Sequence, residues 1–179
     1  MFTTIQNLHH SIRTVYGDSE LTFSGQLWTV PIQGVGQGNG AGPQIWAVVS
    51  TPVLNMLRHE GYGAYFRTAI TGTTISFVGY AFVDDTDLII TSQNPDDTDA
   101  DVATRMQQAL DLWEGGIRAT GGAIVPEKSH WYLIDFKWQQ GNWRYVTEAE
   151  APAQLRVRCN GNVAALERLS ASDARRTLG

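Results

Sequence analysis

Phe82-Val83-Asp84-Asp85 sets two adjacent carboxylates between apolar, β-branched stretches. Carboxylates held near a core cost free energy unless something positive neutralises them. A hard cation such as Mg²⁺ takes one or two protein carboxylates together with substrate phosphates, so a tip of this kind suits phosphoryl transfer. Aspartate is also common in solvated turns, and that reading stands beside the first.

A second feature lies upstream. From Gly34 to Gly42 every second residue is glycine, and Pro43 follows. Such a stretch lets backbone approach a ligand closely, and the N–H groups of a following helix attract anions. No Gly-Lys-Ser/Thr follows, so this is not a Walker A loop, and a dinucleotide fingerprint fits poorly. A flexible surface loop is the alternative. Lys128 closes the run Gly121-Gly122-Ala123-Ile124-Val125-Pro126-Glu127-Lys128, where a lone lysine is ordinarily a solvated residue. Asp97, Asp99 and Asp101 imitate the start of a calcium loop, but its glycine and closing glutamate are absent. They read better as acidic residues at a helix N-terminus. His9, His10, His59 and His130 show no ligand spacing, and the six tryptophans fall mostly at core or hairpin positions.

The elements that must position these residues follow from periodicity. Phe2, Ile5, Leu8, Ile12 and Val15 step as an amphipathic helix ended by Gly17-Asp18. Leu21–Phe23 and Leu27–Ile32 read as short strands. Pro43 opens a helix that turns Ile45, Trp46, Val49, Val53, Leu54 and Leu57 inward, with Pro52 kinking it. Thr73–Phe82 and Thr86–Thr91 read as a hairpin around the acidic pair. Val102, Met106, Leu110 (or Ala109), Trp113 and Ile117 keep helical spacing until Gly121-Gly122. Ile124-Val125 and Trp131–Trp138 suggest strands, the second turning at Gln140-Gly141-Asn142 into Trp143–Val146. A hairpin around Asn160-Gly161 and a short helix near Ala171–Arg176 complete one α+β unit.

Composition bounds the function. A chain of 179 residues with 42% hydrophobic and 17% charged residues is globular, neither disordered nor fibrous. No apolar run reaches spanning length, and no basic segment leads into an apolar one at the N-terminus, which predicts an intracellular chain, nucleus and cytoplasm undistinguished. The single cysteine, Cys159, excludes an internal disulfide and a cysteine-based zinc site. A net charge of -5 argues against a self-sufficient nucleic-acid binder. It is compatible with part of a polymerase, in which acidic metal ligands and basic grip surfaces occupy different subdomains.

Taken in order, the three features resemble reverse transcriptases of retroelement or retrotransposon type. Gln33-Gly34 through Gly42-Pro43 resembles motif B, Phe82-Val83-Asp84-Asp85 motif C, and Gly121-Gly122 to Lys128 motif D; the match runs from Pro31 to Trp138. The resemblance implies an α+β polymerase palm, an antiparallel sheet carrying the Asp-Asp hairpin and packed on helices, incomplete at both ends. Residues 1–150 would be the partial palm and 151–179 the start of the connection to a thumb. It implies RNA-directed DNA polymerase activity, with nucleotidyl transfer onto a primer 3′ end assisted by Mg²⁺ (or Mn²⁺). Asp84 would be a ligand of both ions and Asp85 a weaker contributor. Phe82 and Val83 would lie under the primer terminus, Gln37, Gly38, Asn39 and Gly40 along the nucleotide and template, and Lys128 would protonate pyrophosphate. The implied partners are an RNA or DNA template with primer, a deoxynucleoside triphosphate, and the fingers and thumb of a parent polymerase, with no membrane.

The family's motif A, a strand ending in a metal-binding aspartate, has no counterpart here, because Asp18 lies too close to the glycine-rich stretch. Little or no activity is therefore expected of the chain by itself. Two alternatives remain: a non-catalytic palm remnant or nucleic-acid-binding module, and a nucleotidyl cyclase or other palm-type transferase, which leaves the glycine-rich stretch and Lys128 unexplained.

Overall fold

The computed structural model describes residues 13–14, 17–18, 40–82, 85–159 and 161–173. The chain divides into two compact units, Met1–Asn39 and Gly40–Gly179.

In the first unit β1 (Arg13–Thr14) pairs antiparallel with β2 (Gly17–Asp18), Arg13 opposite Asp18 and Thr14 opposite Gly17. This corrects the helix read through Val15. Gly17 has φ +114°, a turn conformation that glycine adopts without strain, and β-branched Thr14 favours the extended backbone. The earlier part of that helix and the strands read at 21–23 and 27–32 lie outside the described residues.

The second unit opens with α1 (Gly42–His59), whose Pro43 occupies the first turn and whose Pro52 is accommodated within the helix. Val53 and Leu57 are buried on its inner stripe, as the spacing predicts. Then come two hairpins: β3 (Ala64–Arg67) with β4 (Thr74–Phe77), and β5 (Gly79–Phe82) with β6 (Asp85–Leu88). The expected continuous strand Thr73–Phe82 is thus divided at Val78, and its first half pairs backward with a strand that periodicity leaves unassigned. Val78 is buried, and its carbonyl accepts from Ile89 N–H at 2.8 Å. Gly79 lets β5 lie close against β6, since a Cβ there would lie 2.0 Å from the Asp87 carbonyl oxygen.

α2 (Asp99–Ala119) is the longest element described. Thr98 and Asp101 form a capping box at its start: the Thr98 hydroxyl accepts from Asp101 N–H, and the Asp101 carboxylate accepts from Thr98 N–H at 2.8 Å. The Thr98 hydroxyl also donates to the Asp101 carboxylate at 2.6 Å, and this bond, followed by that from Thr98 N–H, holds the Asp101 carboxyl below its ordinary pKa. Asp97 accepts from the N–H groups of Asn94 and Gln93 and is lowered for that reason. The helix-start reading of these aspartates holds.

Ile124-Val125 forms no strand, contrary to expectation; a short 3₁₀ turn, Pro126–Lys128, follows. The expected strand Trp131–Trp138 is also divided, into β7 (His130–Tyr132) and β8 (Phe136–Gln139), because each half has its own partner. β8 pairs with β9 (Asn142–Tyr145), and Asp135 O between the halves accepts from Val146 N–H. β10 (Arg156–Cys159) and β11 (Asn162–Ala165) form the hairpin expected around Asn160-Gly161. β12 (Glu167–Leu169) returns to pair parallel with β7. Ala171-Ser172 is a turn rather than helix, and residues 174–179 lie outside the described residues.

The architecture is mixed α+β, and the described strands pair two by two rather than in one sheet. α2 lies between two cores. On one side Ala109, Trp113 and Ile117 pack with Val53, Leu57 and Val78. On the other, Leu110 packs with Trp131, Leu155, Val157 and Leu166. Burying a side chain such as Leu57, fully shielded from solvent, contributes roughly 1.5–3 kcal/mol. Among the described residues no helix is long and apolar enough to cross a membrane.

Candidate metal-binding hairpin

The register of β5 and β6 places Phe82 opposite Asp85, Ala81 opposite Thr86, Tyr80 opposite Asp87 and Gly79 opposite Leu88. A strand alternates its faces, so Thr86 and Leu88 share one side of β6 while Asp85 and Asp87 share the other. Leu88 packs against the α1–α2 core, which sets the inner face and sends Asp85 and Asp87 outward. Asp85 is exposed. Tyr80 is exposed as well, and a hydrogen bond between its hydroxyl and the Asp87 carboxylate, reinforced by that negative charge, raises the phenol above its ordinary pKa.

Of the residues singled out in sequence, the backbone register brings Phe82 and Asp85 together. Val83 and Asp84, which join them, lie outside the described residues, as do Gln37, Gly38 and Asn39. Gly40 lies in the exposed turn that precedes α1. Lys128 ends the 3₁₀ turn after α2, exposed, its N–H bonded to Val125 O at 3.1 Å. Among the described residues no hydrogen bond or ion pair joins Lys128 to the hairpin, and no group of three or more His, Cys, Asp or Glu side chains converges as a metal site.

Asp85 offers hard oxygen donors open to water, which fits a cation that keeps part of its hydration shell and completes its coordination with substrate phosphates. Tyr80 and Asp87 belong to none of the motifs visible in the sequence. Their signal is local, an aspartate two residues beyond Asp85 and therefore on the same strand face.

No protein-family model, curated protein or solved structure matches the chain.

Proposed function

We propose that the β5–β6 hairpin is the metal-binding tip of a palm-type, RNA-directed DNA polymerase of retroelement kind, serving nucleotidyl transfer onto a primer 3′ end. The pairing of Phe82 with Asp85 carries the reading. It sets the first and last residues of the aromatic-x-Asp-Asp box opposite each other, with Asp85 opening β6 of a hairpin rooted in a helical core. The order of the glycine-rich stretch with its helix, this hairpin, and the helix-to-lysine segment supports it further.

In this reading Asp84 and Asp85 would hold Mg²⁺ or Mn²⁺, which when bound supplies charge neutralisation at the triphosphate. Phe82 and Val83 support the primer terminus. Backbone at Gln37, Gly38, Asn39 and Gly40 lines the nucleotide and template, and Lys128 donates a proton to departing pyrophosphate.

Mn²⁺ binding, followed by the paramagnetic signal of the free ion, tests the tip directly. Asp84→Asn and Asp85→Asn are each expected to weaken binding about tenfold or more, the loss of one hard anionic ligand. Unchanged binding in both variants, with their folds intact by circular dichroism, would overturn the proposal.

A further inference from the structure

From residue 151 onward the charge balance of this acidic chain reverses: Arg156, Arg158 and Arg168, with Arg175 and Arg176 later in sequence, outnumber Glu167 and Asp173. Arg156 and Arg158 stand two residues apart on β10 and hence on one strand face, both exposed. Val157 between them is buried against Leu110 and Leu155, which fixes the roll of the strand and turns both arginines away from the core.

Two side chains of α2 tie this strand down. The Gln107 amide accepts from Arg156 N–H and donates to Arg156 O, both at 2.8 Å. The buried Glu114 carboxylate, paired with Arg118, accepts from Arg158 N–H at 3.1 Å. The Arg156 guanidinium is steered by Gln154, whose side-chain oxygen accepts from Nη2 at 3.0 Å and from Nε at 3.3 Å. Among the described residues the Arg158 guanidinium has no such partner. Between α2 and the β10–β11 hairpin lies an open groove of about 440 Å³, lined by these two arginines, Gln107, Gln154 and Asp111. The Asp111 carboxylate, which accepts from Gln107 Nε2 at 2.8 Å, is the opposing charge.

We propose that this groove holds a single-stranded nucleic acid by its backbone, Arg156 and Arg158 each facing one phosphate. Residues two apart on a strand are separated by about 6.6 Å, close to the step between neighbouring phosphates of an extended strand. The guanidinium fork matches phosphate geometry, and a groove open at its sides admits a continuing chain. Gln107 and Gln154 add neutral amides that cost little to bring near an anion. Asp111 repels the ligand and limits affinity. The proposal involves no metal and is independent of the β5–β6 reading, so each can fail alone.

Fluorescence anisotropy of the full chain with a labelled oligo(dT) of roughly 16 nucleotides, at about 50 mM salt, tests it. Arg156→Gln with Arg158→Gln is expected to weaken binding about tenfold and to lower the log–log salt slope by roughly 1.4, the value for two lost phosphate contacts on a single strand. Asp111→Asn is expected to tighten binding several-fold, and Arg58→Gln, an exposed arginine on α1, to leave it unchanged. Should the double variant fold poorly, Arg158→Gln carries the test, since its guanidinium supports no described contact; it is expected to lower the slope by roughly 0.7. Wild-type affinity and slope in a folded arginine variant would overturn the proposal. So would equal competition by polyphosphate of matched charge, which marks adsorption of any polyanion.

Discussion

Tyr80 and Asp87 face each other across the β5–β6 hairpin, where hydrogen bonding to the Asp87 carboxylate and its charge raise the phenol above its ordinary pKa. The pair flanks the proposed metal tip on the face that carries Asp85. Because the bond and the negative charge favour the protonated phenol, the folded pKa lies above the unfolded one. The stabilisation is fully present below the ordinary phenol pKa of about 10 and is lost as pH rises through the folded value. Absorbance titration near 295 nm, with Tyr80→Phe identifying the contribution, should show Tyr80 ionising later than an ordinary tyrosine. Asp87→Asn should bring it back. An unshifted Tyr80 would show that the pair does not persist in solution.

Glu150 provides a pH dependence of opposite sign. Arg144 grips its carboxylate bidentately at 2.6 and 2.7 Å, and Thr147 donates to it from N–H at 3.0 Å and from its hydroxyl at 2.9 Å. These donors, Arg144 first, hold the carboxyl far below the usual carboxylate range. A depressed folded pKa gives stability that is present above the unfolded value of about 4.3 and is lost as pH falls toward the folded one. Glu150→Gln is therefore expected to lower Tm at neutral pH, with the gap to wild type narrowing below about pH 4. A gap that stays constant from pH 7 to pH 2 would exclude the ion pair as its cause. High salt should shrink it as well, since the pair is part-exposed.

What could be read from sequence, and what could not, divides along the range of the interactions. α1 and α2 were legible because each carries its own apolar stripe and start signal: Pro43 for one, the acidic Asp99 and Asp101 for the other. The hairpin turns at Gln140-Gly141 and around Asn160-Gly161 were legible because left-handed backbone marks the residues themselves. The division of the apolar run at Val78 was not, since it depends on Ala64–Arg67 competing for its first half. The parallel pairing of His130–Tyr132 with Glu167–Leu169 joins segments with no local signal of each other. The same holds for the candidate sites. Phe82 and Asp85 stand out as neighbours in a box, whereas Gln107 and Arg156 are 49 positions apart and meet through folding.

The crossing of the two helices sets a steric prediction. A Cβ at Gly116 would lie 2.5 Å from Val53 Cγ1, so the helices approach here because α2 has no side chain at that point. Alanine normally favours a helix interior over glycine by about 1 kcal/mol, but overpacking a core costs about 1–3 kcal/mol. Gly116→Ala is thus expected to be destabilising, measured by urea unfolding. Adding Val53→Ala opens the space that the new methyl needs. The double variant should be more stable than the sum of the single effects predicts, by about 0.5–3 kcal/mol, the range for residues in contact. Strict additivity would mean that the helices part without cost and that the crossing is not tightly packed.

Asp84 separates the polymerase reading from a binding module. Two-metal transfer needs a further carboxylate from a strand well ahead of the glycine-rich stretch, and Asp18, which ends β2, lies too close to that stretch to supply it. Primer extension by the chain with Mg²⁺ or Mn²⁺ is accordingly expected to be negligible. If the polymerase reading is right, Asp84→Ala should nonetheless abolish any metal-dependent component of primer–template affinity, because Asp84 would help hold the ion that neutralises the phosphates. A module that holds nucleic acid without metal responds in the other direction: removing a negative charge near phosphates leaves its affinity unchanged or improves it. Measuring primer–template affinity for wild type and Asp84→Ala, each with Mg²⁺ and with a chelator, distinguishes the two. Equal affinities in wild type with and without the ion would discard the metal role of the hairpin. Robust extension that Asp84→Ala abolishes would instead show that the chain's own carboxylates complete the site.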